Sequence, residues 1–90
     1  MVKRSFKIIN ESGIHARPAT TLVNTAIEFK SNITLTALKR EVDFKSIMGV
    51  MSLGIYSGVI IDIKAEGEDE MDAINTLSDK IVSLGLGTEI

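Results

Sequence analysis

Apolar residues recur along the chain with two different periods, and the changes of period divide the chain into elements. Apolar and polar residues alternate in four segments, at residues 2–9, 32–37, 41–44 and 59–66, and this alternation predicts strands with one buried face. Two longer segments, at residues 18–29 and 71–84, carry apolar residues three and four positions apart, as amphipathic helices do. A short apolar segment from residue 47 predicts a third helix, so the order of elements is β-α-β-β-α-β-α.

Alternating strands bury only one face, so the helices are expected to cover a single side of the sheet. The predicted fold class is therefore α+β, with a four-stranded antiparallel sheet and three helices on one face. The strands at residues 32–37 and 41–44 predict a hairpin, although the residues between them include none of the Gly or Asn that tight hairpin turns favour. With 90 residues and no repeat or linker, the chain is expected to form one domain over residues 1–90.

Residues at the ends of the predicted helices support these assignments. Ser46 is a favoured N-cap for a helix that starts at Ile47. The last helix has acidic residues in its first turn, Lys80 towards its end and Gly85 as a C-cap. The acidic run at residues 66–72 is thereby explained as a helix start, which we favour over a metal site or a site for a basic partner. The apolar face of this helix is predicted to comprise Met71, Ile74, Leu77, Ile81 and Leu84.

Composition excludes several classes of function. The net charge of −2 provides no basic excess for direct nucleic-acid binding, and no apolar run approaches the length of a membrane span. The chain has no Cys and a single His, so neither a disulfide nor a Cys-based metal site can form, and we expect no metal or cofactor. The expected location is the cytoplasm.

The single histidine, His15, lies in the segment GIHARPAT at residues 13–20. Pro18 is the only proline, and proline is favoured in the first turn of a helix. The residue before a proline is biased away from helical conformation, so the helix is predicted to begin near residues 16–18 with His15 at its N-terminus. A lone histidine in a loop is often only a solvated side chain or a cap, and this simpler interpretation stays open on composition alone.

The predicted position of His15 has a chemical consequence. A helix N-terminus carries unpaired N–H groups and a partial positive charge, which disfavours imidazolium. We therefore expect a neutral imidazole, which is a competent nucleophile, and a phosphoryl group on it would meet the N–H groups of Ala16 and Arg17. The Arg17 guanidinium matches phosphate oxygens. These features predict a histidine that carries phosphate; a hydrolytic triad is disfavoured because no GxSxG motif is present.

Two segments, GIHARPA at residues 13–19 and KSIMGVMSLGI at residues 45–55, resemble the two signatures of the HPr family, the histidine-containing phosphocarriers of the bacterial sugar phosphotransferase system. The resemblance extends over the whole chain and implies the HPr-like open-faced β-sandwich. It also implies a carrier rather than an enzyme. In this relay His15 accepts phosphate on Nδ1 from phosphorylated Enzyme I and passes it to IIA domains of sugar permeases, and Arg17 supports the phosphoryl group.

The second signature resembles that of Gram-positive members, which implies a regulatory role for Ser46. In those proteins an HPr kinase/phosphorylase modifies this serine, which weakens transfer from Enzyme I and creates a corepressor for a catabolite-control transcription factor. We expect Val50 and Leu53 to be buried. The resemblance implies an exposed partner-binding surface formed by Ser12, Thr20, Asn24, Ile47, Met48, Gly49, Met51 and Gly54.

Two other functions stay open at this point. The chain could be a purely regulatory module that acts through the Ser46 surface and retains His15 passively. It could also be a carrier for a nitrogen-related phosphotransferase branch, although the motif around Ser46 favours the sugar branch. A regulatory paralogue that lacks the active-site histidine is excluded by His15 itself.

Overall fold

The structure, a computed structural model, describes residues 1–90 and confirms the predicted order of the first seven elements. The elements are β1 (Val2–Ile8), α1 (Ala16–Ile27), β2 (Asn32–Ala37), β3 (Arg40–Asp43), α2 (Ile47–Ser52), β4 (Ile60–Glu66), α3 (Glu70–Ser83) and β5 (Gly87–Glu89). None of the three helices is long and apolar enough to pass through a membrane.

All strand pairs in the sheet are antiparallel, and the strand order is β3-β2-β4-β1-β5. The register aligns apolar residues of neighbouring strands, so that Leu35 in β2 lies opposite Ile63 in β4. The aligned apolar residues face the helices. Together with residues of α1 and α3, they belong to one core of 23 buried apolar side chains. The opposite face carries the polar residues of the same strands and is not covered by any helix, which confirms the open-faced architecture.

The sheet has five strands instead of the predicted four. The extra strand, β5, pairs with β1 over three residues, and its sequence GTE contains no apolar alternation from which a strand could be predicted. Its direction is set at the end of α3, where Gly85 has a φ of 70°. Gly85 N donates to Val82 O at 3.0 Å and Leu86 N donates to Ile81 O at 3.0 Å, which is the hydrogen-bond pattern of a Schellman motif.

The apolar face of α3 is narrower than predicted. Ile74, Leu77 and Ile81 are buried as expected, but Met71 is 50% exposed and Leu84 is 45% exposed. The prediction was wrong for these two residues because they lie at the two ends of the helix, where the core covers them incompletely.

The predicted hairpin between β2 and β3 is confirmed, and its turn is unusual. Ala37 pairs with Arg40, so Leu38 and Lys39 alone form the loop, with φ values of 52° and 67°. Both residues therefore adopt the left-handed conformation of a type I′ turn without being Gly or Asn. For a residue other than glycine, this conformation costs about 1–2 kcal/mol of folding free energy.

Candidate functional site

His15 is the N-cap residue of α1, as the sequence predicts. Its backbone is extended, with φ −90° and ψ −175°, and its side chain makes no capping hydrogen bond. His15 O accepts the first helical hydrogen bond, from Ala19 N at 3.0 Å. The imidazole is therefore held only through its backbone and is exposed to solvent.

The first turn of α1 leaves its N–H groups free. The N–H groups of Ala16 and Arg17 donate to no other backbone group of the protein, and Pro18, the next residue, has no N–H at all. Arg17 is exposed and forms none of the three ion pairs in the protein. One imidazole, two backbone donors and one guanidinium without an acidic partner are thus brought together at a helix N-terminus, which is an arrangement suited to an anion.

Two hollows open beside the imidazole. The larger, of about 600 Å³, is lined by His15, Ala16, Arg17, Thr20 and Thr21. The smaller, of about 300 Å³, is lined by Asn10, His15, Arg17, Pro18, Thr21, Leu84 and Leu86. Sequence reasoning missed Thr21, although it lies one helical turn after Arg17 and could have been found from that spacing. No sequence pattern brings Leu84 and Leu86 to His15.

The loop before His15 is anchored to the segment that follows α2. Gly13 has a φ of 64°, and a side-chain carbon at this position would lie 2.2 Å from Ile55 O. Ile14 is buried, and Ile14 N donates to Ile55 O at 3.2 Å. Only glycine fits this close approach, so the two segments that carry the predicted signatures are in direct contact.

Ser46 is the N-cap of α2, as predicted. Its Oγ accepts a hydrogen bond from Gly49 N at 3.0 Å. A side-chain carbon at Gly49 would lie 3.3 Å from this Oγ and 3.4 Å from Val42 Cβ, so Gly49 leaves room for the cap. Gly54 has a φ of 60°, which favours glycine at this position after α2.

The predicted division of the apolar residues in and after α2 agrees with the structure. Val50 and Leu53 are buried, whereas Ile47, Met48 and Met51 are exposed, and Met48 is 81% exposed. Of the other residues predicted for the surface, Ser12, Thr20, Asn24 and Gly54 are exposed and Gly49 is half-buried. We refer to Ile47, Met48 and Met51 as the α2 patch.

Two acidic residues at the start of α3, Asp69 and Glu70, have structural partners. Asp69 accepts hydrogen bonds from Lys30 N at 2.8 Å, Ser31 N at 2.9 Å and Ser31 Oγ at 2.5 Å. The Ser31 hydroxyl, together with these backbone donors, lowers the pKa of Asp69 below its ordinary value. The pKa of Glu70 is also lowered, by the N-terminal amine and by Gly67 N.

The comparisons with known proteins match most of the chain to one family. Residues 2–83 match the family model described as the PTS HPr component phosphorylation site. The structure is similar to the histidine-containing phosphocarrier protein of Mycoplasma, with 38% identity, a TM-score of 0.94 and coverage of 97% of this chain and 99% of that one. It is also similar to HPr from Thermoanaerobacter tengcongensis, with 41% identity, a TM-score of 0.87 and full coverage of both chains.

A third similarity is to Crh, the catabolite repression protein of Bacillus subtilis, whose structure is described as a swapped dimer. The identity is 35%, the TM-score is 0.72, and the alignment covers 92% of this chain and 95% of that one. The family match over residues 2–83 and the exposed His15 at the start of α1 agree: the chain belongs to the HPr family, the phosphocarriers of the phosphotransferase system.

Proposed function

We propose that the protein accepts a phosphoryl group on Nδ1 of His15 from phosphorylated Enzyme I and passes it to IIA domains of sugar permeases. In each transfer a P–N bond to His15 forms or breaks, and the electron pair of the broken bond stays on the atom that loses the phosphoryl group. The observation that carries the proposal is the exposed His15 side chain, which makes no capping hydrogen bond and stands beside two free backbone donors.

The surroundings of His15 supply stabilisation for the transferred group. The N–H groups of Ala16 and Arg17 are available to the phosphoryl oxygens, and the Arg17 guanidinium adds positive charge. Fixed donors directed at transferring charge are the main contribution that a protein makes to phosphoryl transfer. The α2 patch is proposed as the partner-binding surface, because exposed Met side chains adapt to several partners.

The test is incubation with phosphoenolpyruvate and Enzyme I. We expect a mass gain of one phosphate that is labile in acid and stable in alkali, and that is absent in His15→Ala. The matched control is Ser46→Ala, which should gain the same phosphate. A mass gain that persists in His15→Ala would refute the assignment of the acceptor. Passage of the phosphate to a sugar-specific IIA domain, and not to a nitrogen-branch domain, tests the sugar branch.

We also propose that phosphorylation of Ser46 by an HPr kinase/phosphorylase regulates the carrier and creates a corepressor for a catabolite-control transcription factor. A phosphate at this N-cap would keep an acceptor near Gly49 N and so preserve α2, while it adds a charge of about −1.5 to −2. This charge would lie beside Ile47 and Met48, which are exposed. The expected effect is therefore on docking, with little change of fold.

The Ser46 proposal is tested with Ser46→Asp and with the kinase. ATP and the kinase should add a stable phosphate to the protein and none to Ser46→Ala. Ser46→Asp should be a poorer acceptor from Enzyme I, most clearly at low salt, where charges are least screened. A Ser46→Asp variant with the full transfer rate at low salt would rule out the electrostatic explanation.

A second candidate function is a purely regulatory module, and the similarity to Crh favours it. Such a module would be modified on Ser46 and would not take phosphate from Enzyme I. The His15 experiment separates the two functions directly. Because the proposed reactions use phosphoenolpyruvate and ATP, we propose the cytoplasm as the compartment in either case.

A further inference from the structure

Asn10 binds both backbone polar groups of Gly13, two residues before His15. Gly13 N donates to Asn10 O at 2.9 Å, and Asn10 Nδ2 donates to Gly13 O at 2.8 Å. The first bond closes a turn over residues 10–13, and the second adds a side-chain bond across the same turn. A single residue thus fixes the peptide group that leads into Ile14 and His15.

Asn10 is itself held from the other side of the molecule. Ile9 N donates to Leu86 O at 2.8 Å, and Asn10 N donates to the same oxygen at 3.3 Å. The backbone of Asn10 is therefore tied to the segment that follows α3. Gly13 is also close to the segment after α2, because a Cβ at this position would lie 2.2 Å from Ile55 O.

Asn10 also lies close to the reacting group. It lines the smaller hollow, of about 300 Å³, together with His15, Arg17 and Thr21. The imidazole makes no capping hydrogen bond, so its position depends on the backbone before it. The Asn10–Gly13 pairing constrains this backbone, two residues before His15.

We propose that Asn10 is a positioning residue for phosphoryl transfer: its Nδ2–H···O bond to Gly13 fixes the turn that places His15. This proposal rests on the proposed function of His15 as the phosphate acceptor. Displacement of a reacting group by about 1 Å can slow a reaction about a hundredfold. Loss of the carboxamide donor should therefore affect the rate of transfer more than it affects docking, because the α2 patch is unchanged.

The test compares Asn10→Ala and Asn10→Leu with the control Asn75→Ala in the Enzyme I assay. Asn10→Leu keeps the branched shape and the four heavy atoms of the side chain but has no donor. Asn75 lines neither hollow, and its Oδ1 accepts one side-chain hydrogen bond, from Arg4 Nη2 at 2.6 Å, so Asn75→Ala also removes one such bond. We expect kcat for His15 phosphorylation to fall about ten- to a hundredfold in both Asn10 variants, with KM unchanged, and to be normal in Asn75→Ala.

Amide hydrogen exchange provides a readout without partners. Gly13 N–H should exchange faster in both Asn10 variants than in the wild type, and it should be unaffected in Asn75→Ala. A kcat within twofold of wild type in Asn10→Ala, an equal loss in Asn75→Ala, or a change confined to KM would each overturn the proposal. Failure of the wild type to take phosphate would instead refute the proposed function of His15.

Discussion

Helix α1 begins and ends in opposite ways. At its start, the His15 side chain makes no capping hydrogen bond, and the N–H groups of Ala16 and Arg17 have no partner in the protein backbone. At its end, Phe29 O accepts from Lys45 Nζ at 2.7 Å, and the next two N–H groups donate to Asp69. The start leaves two N–H groups without a partner in the protein backbone, as the proposed phosphate site requires, whereas the end is joined to the segment between β3 and α2 and to the start of α3.

This difference indicates that stability and reactivity depend on opposite ends of α1. Exposed N–H groups at a helix start are solvated by water and contribute nothing to cohesion until an anion replaces the water. The bonds at the other end, two of which are partly buried, hold three segments that are distant in sequence. Changes at the start should therefore affect transfer without affecting stability, and changes at the end should do the reverse.

The largest expected effect is on transfer, in Arg17→Ala. Removal of one group that stabilises transferring charge slows such reactions about a hundredfold or more. Because Arg17 is exposed, the unfolding free energy should change by less than about 0.5 kcal/mol. Single-turnover phosphorylation and chemical denaturation measure the two quantities, and Arg17→Lys, which keeps the charge but not the fork of donors, should be intermediate. An Arg17→Ala variant that does not fold would contradict the assignment of transfer to the start of α1 and of stability to its end.

The largest expected effect on stability is in Asp69→Ala. This change removes the acceptor of Lys30 N, Ser31 N and Ser31 Oγ, and Ser31 is buried. Buried donors without a partner are costly, so the melting temperature should fall clearly, while His15 phosphorylation at 25 °C should proceed at the normal rate. Asp72→Ala, in the first turn of α3, serves as the matched acidic control. A slower transfer in Asp69→Ala would show that the two ends of α1 are coupled.

The lowered pKa of Asp69 predicts how the free energy of unfolding changes at acidic pH. Its pKa is lowered in the folded protein, with the Ser31 hydroxyl as the largest cause, so the folded state binds the proton less readily than the unfolded state does. The stabilisation is therefore present above the ordinary carboxyl pKa of about 3.9 and is lost as the pH falls through the lower folded value. In denaturation series below pH 5, the free energy of unfolding should fall less steeply with decreasing pH in Asp69→Asn than in the wild type. Glu70 should retain its own contribution in both proteins.

The smallest expected change is a gain in stability at the hairpin, remote from both ends of α1. Replacement of Leu38 and Lys39 by Asn-Gly suits the positive φ at both positions and should stabilise the protein, by at most the cost of about 1–2 kcal/mol that each left-handed residue carries. The transfer rate should not change, because reactivity at His15 does not follow global stability. Thermal melting and the Enzyme I assay test this together, and a loss of stability would mean that the Leu38 side chain has a role in packing.

Much of the site could be predicted because it depends on neighbours in sequence. Pro18 and the helical spacing of the apolar residues after it were sufficient to place His15 at the start of α1, and Ser46 identified the start of α2. The same local reasoning was wrong for Met71 and Leu84, since periodicity indicates which face of a helix is apolar but not where the core ends. It also could not find β5, which is held by pairing with β1.

The sequence by itself determined the order of the first seven elements, the position of the phosphate-accepting residue proposed here and the family, because periodicity, capping and motifs act over a few residues. Only the tertiary structure decided that Asn10, Leu84 and Leu86 surround His15 and that Asp69 holds the far end of α1. The contacts of Leu84, Leu86 and Asp69 join residues tens of positions apart, and such contacts form only when the sheet and the helices packed on it bring these segments together.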